Sequence, residues 1–441
     1  MKHANAWMVI CIIVVLSIAS RLLFLGSVRE VVFDEVHFGK FISSYCCTHE
    51  RFFDIHPPIG KLIIAGGAYL SGYNGSFLFE SIGQPYGDTR VANIRMVSAL
   101  AGALLPIIIF ILLRQVGVSL VFAFVGALAA ILDNALIVES RLIITDSILL
   151  SATFGALACA VASAKSIQYG RSWMWAVCAG VLSGIAVGTK FTGLTGGALV
   201  GLVFLVRAYQ AGYRNAGVWI ARGVLAGVVC VAVYILGWVL HFSLLNMPGD
   251  GDAWGVPTGA FWQDFTTVHR QMVSANYNLT ADHPYGSKWW TWPFMVRSVF
   301  YWQGEGNRFI YLLGNPVVWW GGFIIFCIGV GKLFISFAKG RNKFLSSGSF
   351  IFLFGYFLSF IPLMRVPRVL FLYHYLTPLL FSLLFAIWWL DSVVHVKKRE
   401  AIAVAASLGI VISFIYISPL TYGFMIPDRL YNIVFLVSSW R

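Results

Sequence analysis

Charge is scarce in this chain: 18 acidic and 31 basic residues stand among 441, and together they make up 11%. Soluble domains carry about 25% charged residues, so a water-solvated globular surface is excluded. Cysteine is sparse as well, with seven in all. Cys11, Cys159, Cys178, Cys230 and Cys327 fall in or near apolar runs and read as small packing residues. Cys46 and Cys47 stand apart from those runs, side by side, with no third cysteine nearby to pair with. That argues against a disulfide framework. With His49 they offer too few ligands for a structural metal site. No internal repeat or low-complexity tract divides the chain, so residues 1–441 read as a single domain.

What is present is apolar sequence. Hydrophobic residues make up 59% and the mean hydropathy is +0.81. A spanning helix needs roughly 20 mostly apolar residues. Eleven runs qualify, at about 6–25, 93–113, 118–136, 142–164, 172–189, 191–207, 222–244, 311–331, 347–364, 369–390 and 401–420. The expected fold class is therefore an all-α polytopic membrane protein of about 11 transmembrane helices. Its two large outer loops fall at about 26–92 and 245–310.

Orientation follows from the basic residues. With the N-terminus in the cytoplasm, the inner segments hold 14 basic residues, from Lys2 and Arg114 through Arg222, Arg341 and Lys343 to Arg399. Only Asp391 and Glu400 oppose them there, whereas the outer side holds 17 basic and 16 acidic residues. This is the positive-inside pattern. The net charge of +13 is thus an orientation signal, and a nucleic-acid partner is not expected. Lys2, the run after it and Ser17-Ile18-Ala19 could pass for a signal peptide. The apolar run resumes after Arg21, so the segment is read as the first span.

Two adjacent carboxylates, Asp34 and Glu35, follow that first span where the chain meets water. Charged residues near membrane depth are costly and tend to serve function. Here Arg95, Asp133, Glu139, Arg141, Asp146, Lys190, Arg365, Arg368 and His374 all fall near the outer ends of spans. Any one could be a snorkelling helix-end charge. Their convergence with Asp34 and Glu35 suits one reaction class. A phosphate leaving group needs positive charge as it departs. An acceptor hydroxyl needs a base on the far side of the reacting carbon. The lipid bilayer suggests a donor carried on lipid.

The residues around these charges form extended motifs. They are Phe33-Asp34-Glu35-Val-His37-Phe-Gly-Lys40, Phe53-Asp54-Ile-His56-Pro57-Pro58-Ile-Gly60-Lys61, Glu139-Ser140-Arg141 with Asp146, and Gly188-Thr-Lys190-Phe-Thr-Gly193. His241 to Asn246 and Gly249-Asp250-Gly251-Asp252 follow, then His283-Pro284-Tyr285 with Trp289, Trp290, Trp292 and Pro293. Leu313-Gly314-Asn315-Pro316 and Phe371-Leu-Tyr373-His374-Tyr375 close the series. In this order they resemble the protein O-mannosyltransferases from about Phe33 to Phe381.

That resemblance implies a type C glycosyltransferase fold. It implies inverting transfer of mannose from a polyprenyl (dolichyl-type) phosphate-mannose lipid donor to Ser/Thr hydroxyls of exported protein acceptors. No cofactor and no metal are implied. The acidic pair carries over as catalytic, with Asp34 as base and Glu35 beside it. Arg95, Arg141 and Lys190 fall in family motifs and are expected to bind the donor phosphate. His56, His283, Trp289, Trp292 and His374 are expected to shape the sugar or acceptor pocket. The active site is expected on the non-cytoplasmic side: outside a bacterial plasma membrane, or lumenal in an ER membrane.

The chain departs from the family at one place. Eukaryotic members insert a large β-rich MIR domain before the His-Pro-Tyr motif, and only about 30 residues join Asp252 to His283 here. A minimal, bacterial-type member is expected. Asp250 and Asp252 mimic a metal-binding Asp-x-Asp, but their glycine spacing suits a turn. The sequons at 74–76 and 278–280 face outward. Two rival functions share some of these features. A transferase that glycosylates a lipid such as lipid A would share the fold and the acidic pair. A lipid or sugar transporter would place its charges along the bilayer midplane.

Overall fold

The computed structural model describes residues 2–166, 168–278, 282–339 and 347–441. Arg341, Lys343 and the Leu279-Thr280 part of the second sequon lie outside the described residues. Helices dominate. Among the described residues eight are long and apolar enough to cross a membrane, and a ninth span is a bent pair, Leu120–Ile131 with Asn134–Ser140, turned by 55°. The runs expected at 6–25 and 347–364 are shorter apolar helices, Ala6–Leu22 and Phe350–Arg365. Among the described residues, length and composition therefore support eight or nine spans, and the eleven read from hydropathy are not all matched.

The bend at Asp133 has a physical cause. Its carboxylate caps the second half-helix by accepting from Leu136 N at 3.0 Å. The other oxygen accepts from Asn315 N at 3.1 Å and Trp319 Nε1 at 2.8 Å. The helix that stops before it leaves carbonyls without partners. Arg21 supplies them, donating to Ala130 O at 2.7 Å and Ile131 O at 2.6 Å. Asp133, a boundary charge in the sequence, and Arg21, which the sequence places inside the first span, thus both serve the break.

Helix Asp146–Lys165 runs through the middle and packs against Val91–Gln115, Tyr169–Val187 and Leu194–Ala211. Tyr169–Val187 and Tyr213–Leu244 approach through a Gly-x-x-x-Gly pair. A Cβ at Gly180 would meet Ala226 O at 2.5 Å, and one at Gly184 would meet Cys230 O at 2.8 Å.

The two long loops between helices fold on each other. The first carries helices Glu35–Ser43 and Ile59–Leu70, joined through the π-helical turn Ser44–Thr48. The second crosses beside it: Arg51 N donates to Met247 O at 3.0 Å, and Gly251 N to Arg51 O at 2.9 Å. Arg51 then takes Asp252 in two hydrogen bonds of 2.6 and 3.0 Å, so that aspartate closes a loop junction. The stretch between Asp252 and His283 holds the helix Phe261–Asn278.

The helical class expected from the sequence holds, with one addition: strands Val299–Gly304 (β1) and Arg308–Leu312 (β2) pair antiparallel around Gly306, whose φ is +67°. One sequence expectation is corrected. Cys46 and Cys47 do not stay apart. They bond to each other in the π-turn, their Cα atoms 3.7 Å apart, so no third cysteine is needed.

Candidate active site

Asp34 and Glu35 stand at the start of helix Glu35–Ser43, and the structure gives them opposite surroundings. Glu35 is fully buried. Its Oε1 accepts from Arg95 Nε at 2.7 Å and Ile143 N at 3.0 Å. Its Oε2 accepts from Arg95 NH2 at 2.7 Å, Val32 N at 2.9 Å and Tyr86 OH at 3.1 Å. No lone pair remains for a substrate proton. Arg95 is equally committed, since it also donates to Val28 O at 2.8 Å and lies 5.6 Å from the Tyr86 ring. This pair ties the first loop to helix Val91–Gln115.

Removing one partner of a buried ion pair costs about 3–5 kcal/mol, because the other charge stays buried without compensation. Glu35→Gln should therefore lower the thermal unfolding temperature of the purified protein by several degrees. An unchanged Tm would mean that the carboxylate charge does not hold this loop.

Asp34 is only half-buried, and its carboxylate bonds no side chain among the described residues. Loss of water raises its pKa to about 7, against the attraction of Lys190 and with help from Asp146 and Asp54. A carboxyl in that state can take a proton near neutral pH.

Asp146 and Lys190 line a cavity of about 340 Å³. Lys190 Nζ bonds Asp146 Oδ2 at 2.6 Å and lies 5.7 Å from the Tyr373 ring. His56, Arg365, Arg368 and His374 also face this space. Its apolar walls come from Leu149, Leu150, Val273, Leu363 and Leu376. Burial, then Lys190, Lys61 and Arg368, hold His56 well below its usual pKa, so its ring is neutral. One cavity thus combines cations, a neutral imidazole and a lipid-compatible wall. Sugar-phosphate heads and an attached chain need both kinds of surface.

Several expected site residues lie elsewhere. Arg95 does not face the cavity, for the reason given above. Arg141 does not either, because it donates to Arg21 O, Leu23 O and Phe24 O at 2.6–2.8 Å. It caps the end of the first helix, with its guanidinium 4.6 Å from the Tyr422 ring. Of the five expected pocket residues, His56 and His374 line the cavity. Trp292 is buried behind it, its ring parallel to His374 at 6.2 Å and its Nε1 on Ser287 Oγ. Trp289 packs on Phe360. His283 is exposed, edge-on to Phe371 at 5.0 Å.

Arg368 was not among the expected phosphate contacts. It is half-buried and held by Asn276 Oδ1 at 3.0 Å. The signal for it was Arg365-Val-Pro367-Arg368, two cations on a proline-stiffened turn just ahead of the Phe371 motif.

The family described as dolichyl-phosphate-mannose-protein mannosyltransferase matches residues 11–246. The chain belongs to that family. The C-terminal four-transmembrane region of protein O-mannosyltransferases matches residues 261–440. Dolichyl-phosphate-mannose–protein mannosyltransferase 4 of Candida albicans is 33% identical over 255 residues, 55% of this chain and 34% of that protein. Protein O-mannosyltransferase 1 of Drosophila melanogaster is 32% identical over 294 residues, 62% of this chain and 32% of that protein. The matches span about a third of these relatives' own lengths.

In fold, the chain superposes on the protein O-mannosyltransferase Pmt1–Pmt2 complex of Saccharomyces cerevisiae, solved with its sugar donor. The TM-score is 0.90 at 20% identity, covering 99% of this chain and 93% of that one. ArnT of Cupriavidus metallidurans, bound to undecaprenyl phosphate, matches with a TM-score of 0.54 at 15% identity, over 99% of this chain and 76% of that one. The expected type C glycosyltransferase fold is therefore present.

Proposed function

We propose that the chain transfers mannose from a polyprenyl-phosphate carrier of the dolichyl type to Ser/Thr hydroxyls of proteins. The observation that carries this reading is the Asp34 carboxylate, without a side-chain hydrogen bond among the described residues, within electrostatic reach of Lys190 and Asp146 in the cationic, apolar-walled cavity. The acceptor oxygen attacks the anomeric carbon of mannose, and the bond from that carbon to the phosphate oxygen breaks. The hydroxyl proton passes to Asp34. The polyprenyl phosphate leaves with the bonding electron pair, and Lys190, Arg368 and Arg365 meet its growing charge. Asp146 orients Lys190. His56, as a neutral imidazole, and His374 contact the sugar. Attack opposite the leaving group inverts the anomeric centre.

Family membership favours a protein acceptor over the lipid acceptor of the first rival reading. The charged residues of the cavity, Asp146, Lys190, Arg365 and Arg368, sit at helix ends and in the segments between helices, which disfavours transport. The test is incubation of the purified protein with polyprenyl-phosphate-mannose and a Ser/Thr peptide, followed by mass spectrometry. A hexose added to the peptide is expected, and transfer only to a lipid acceptor would overturn the reading.

The site opens on the non-cytoplasmic side in this reading, supported by the 14 inner basic residues against two acids. Ser81 is exposed in the first loop, so Ser81→Cys should react with an impermeant maleimide added outside sealed cells. Labelling from the cytoplasmic face alone would reverse the topology.

A further inference from the structure

Phe33 directly precedes Asp34, and its φ is +48°. A bulky side chain avoids this left-handed region, so surrounding structure must hold it there. The hold is visible. The Phe33 ring lies flat on Tyr301, with centroids 3.9 Å apart and planes within 7°. Tyr373 meets it edge-on at 6.4 Å.

Tyr301 is set apart within its own strand. The β1–β2 register shifts between Phe300 and Trp302, which leaves Tyr301 as the extra residue of a bulge. Bulges re-aim side chains and gather beside active sites. Tyr301 is buried, and its hydroxyl donates to Glu139 Oε1. Burial and the Glu139 carboxylate raise the phenol well above its usual pKa, so it stays protonated and donating. Glu139 is buried too, in the half-helix Asn134–Ser140. A rigid membrane element therefore reaches the turn of Asp34 through two rings.

We propose that Tyr301, anchored by Glu139, is a positioning residue that aims the Asp34 carboxylate at the acceptor hydroxyl. The inference rests on the reading of Asp34 as base. It ties the C-terminal half of the chain to a catalytic turn in the N-terminal half.

Tyr301→Leu removes the ring, and Tyr301→Phe keeps the ring but frees it from Glu139. A misplacement of about 1 Å costs roughly 10²-fold in rate, so Tyr301→Leu should lower kcat by about that factor. Donor Kd should stay within about twofold, because Tyr301 does not line the cavity. Tyr301→Phe should fall between Tyr301→Leu and wild type. Glu139→Gln, which still offers an acceptor oxygen, should retain more kcat than Glu139→Ala.

The double variant decides the route. On an Asp34→Asn background, Tyr301→Leu should cost nothing further. Additive losses, a wild-type kcat in folded Tyr301→Leu, or a parallel loss of donor affinity and Tm would overturn the proposal. If Asp34→Asn itself turns over normally, the base assignment has failed, and with it the premise of this inference.

Discussion

Asp34→Asn is expected to lower kcat by roughly 10²–10⁴-fold, the usual contribution of a positioned base. Donor affinity and thermal stability should hold, because the Asp34 carboxylate has no side-chain partner to lose among the described residues. Glu35→Gln should show the opposite pattern, with stability falling first. The pH profile supplies an independent check. With burial lifting Asp34 to about 7, the carboxylate is half-protonated near neutrality. Only the ionised form accepts a proton, so kcat should rise with pH through about 7 and level off above it. The aspartate variant should lack this limb. Near-normal turnover in Asp34→Asn, or a limb that survives the substitution, would remove the residue from the mechanism.

The acidic pair was legible in the sequence because it follows the first apolar run and opens a motif. The division of labour inside it was not. The partners of Glu35 come from residues 32, 86, 95 and 143, and only folding brings these together. Basic residues at helix ends pose the same difficulty. Arg141 and Lys190 look alike in the sequence, each near the outer end of an apolar run. One turns back to cap helix carbonyls and the other points into a cavity. Hydropathy located the membrane segments, but a run at 118–136 cannot reveal that Asp133 breaks it. The β1–β2 hairpin was missed for a related reason. Its apolar strands abut an expected span at 311, so strand and span merge into one run. Protein O-mannosyltransferase membership, by contrast, was carried by motifs whose order the family match preserves.

Lys190→Ala and Arg368→Ala should each weaken donor binding by about tenfold or more. A hydrogen bond to a charged group contributes about 1.5–3 kcal/mol. The effect on kcat should be larger than that on binding. The phosphate gains negative charge as the sugar leaves, and contacts that strengthen at that moment accelerate the step itself. Loss of one such donor elsewhere costs roughly 10²–10³-fold in kcat. Arg368→Lys should recover only part of the activity. A guanidinium can meet two phosphate oxygens with parallel hydrogen bonds, and an ammonium presents a point charge. Lys190 carries a further condition. Asp146 holds it at 2.6 Å, so Asp146→Asn should loosen the lysine and lower kcat less than Lys190→Ala does. Arg141→Ala is the control. Its guanidinium is spent on three backbone carbonyls of the first helix, so Tm should fall while the folded fraction keeps its donor affinity. Isothermal titration with polyprenyl phosphate and single-turnover rates on the purified variants separate the two groups. Unchanged affinity and kcat in both Lys190→Ala and Arg368→Ala would sink the phosphate assignment. A loss of donor affinity in folded Arg141→Ala would return the phosphate to the neighbourhood of the first helix.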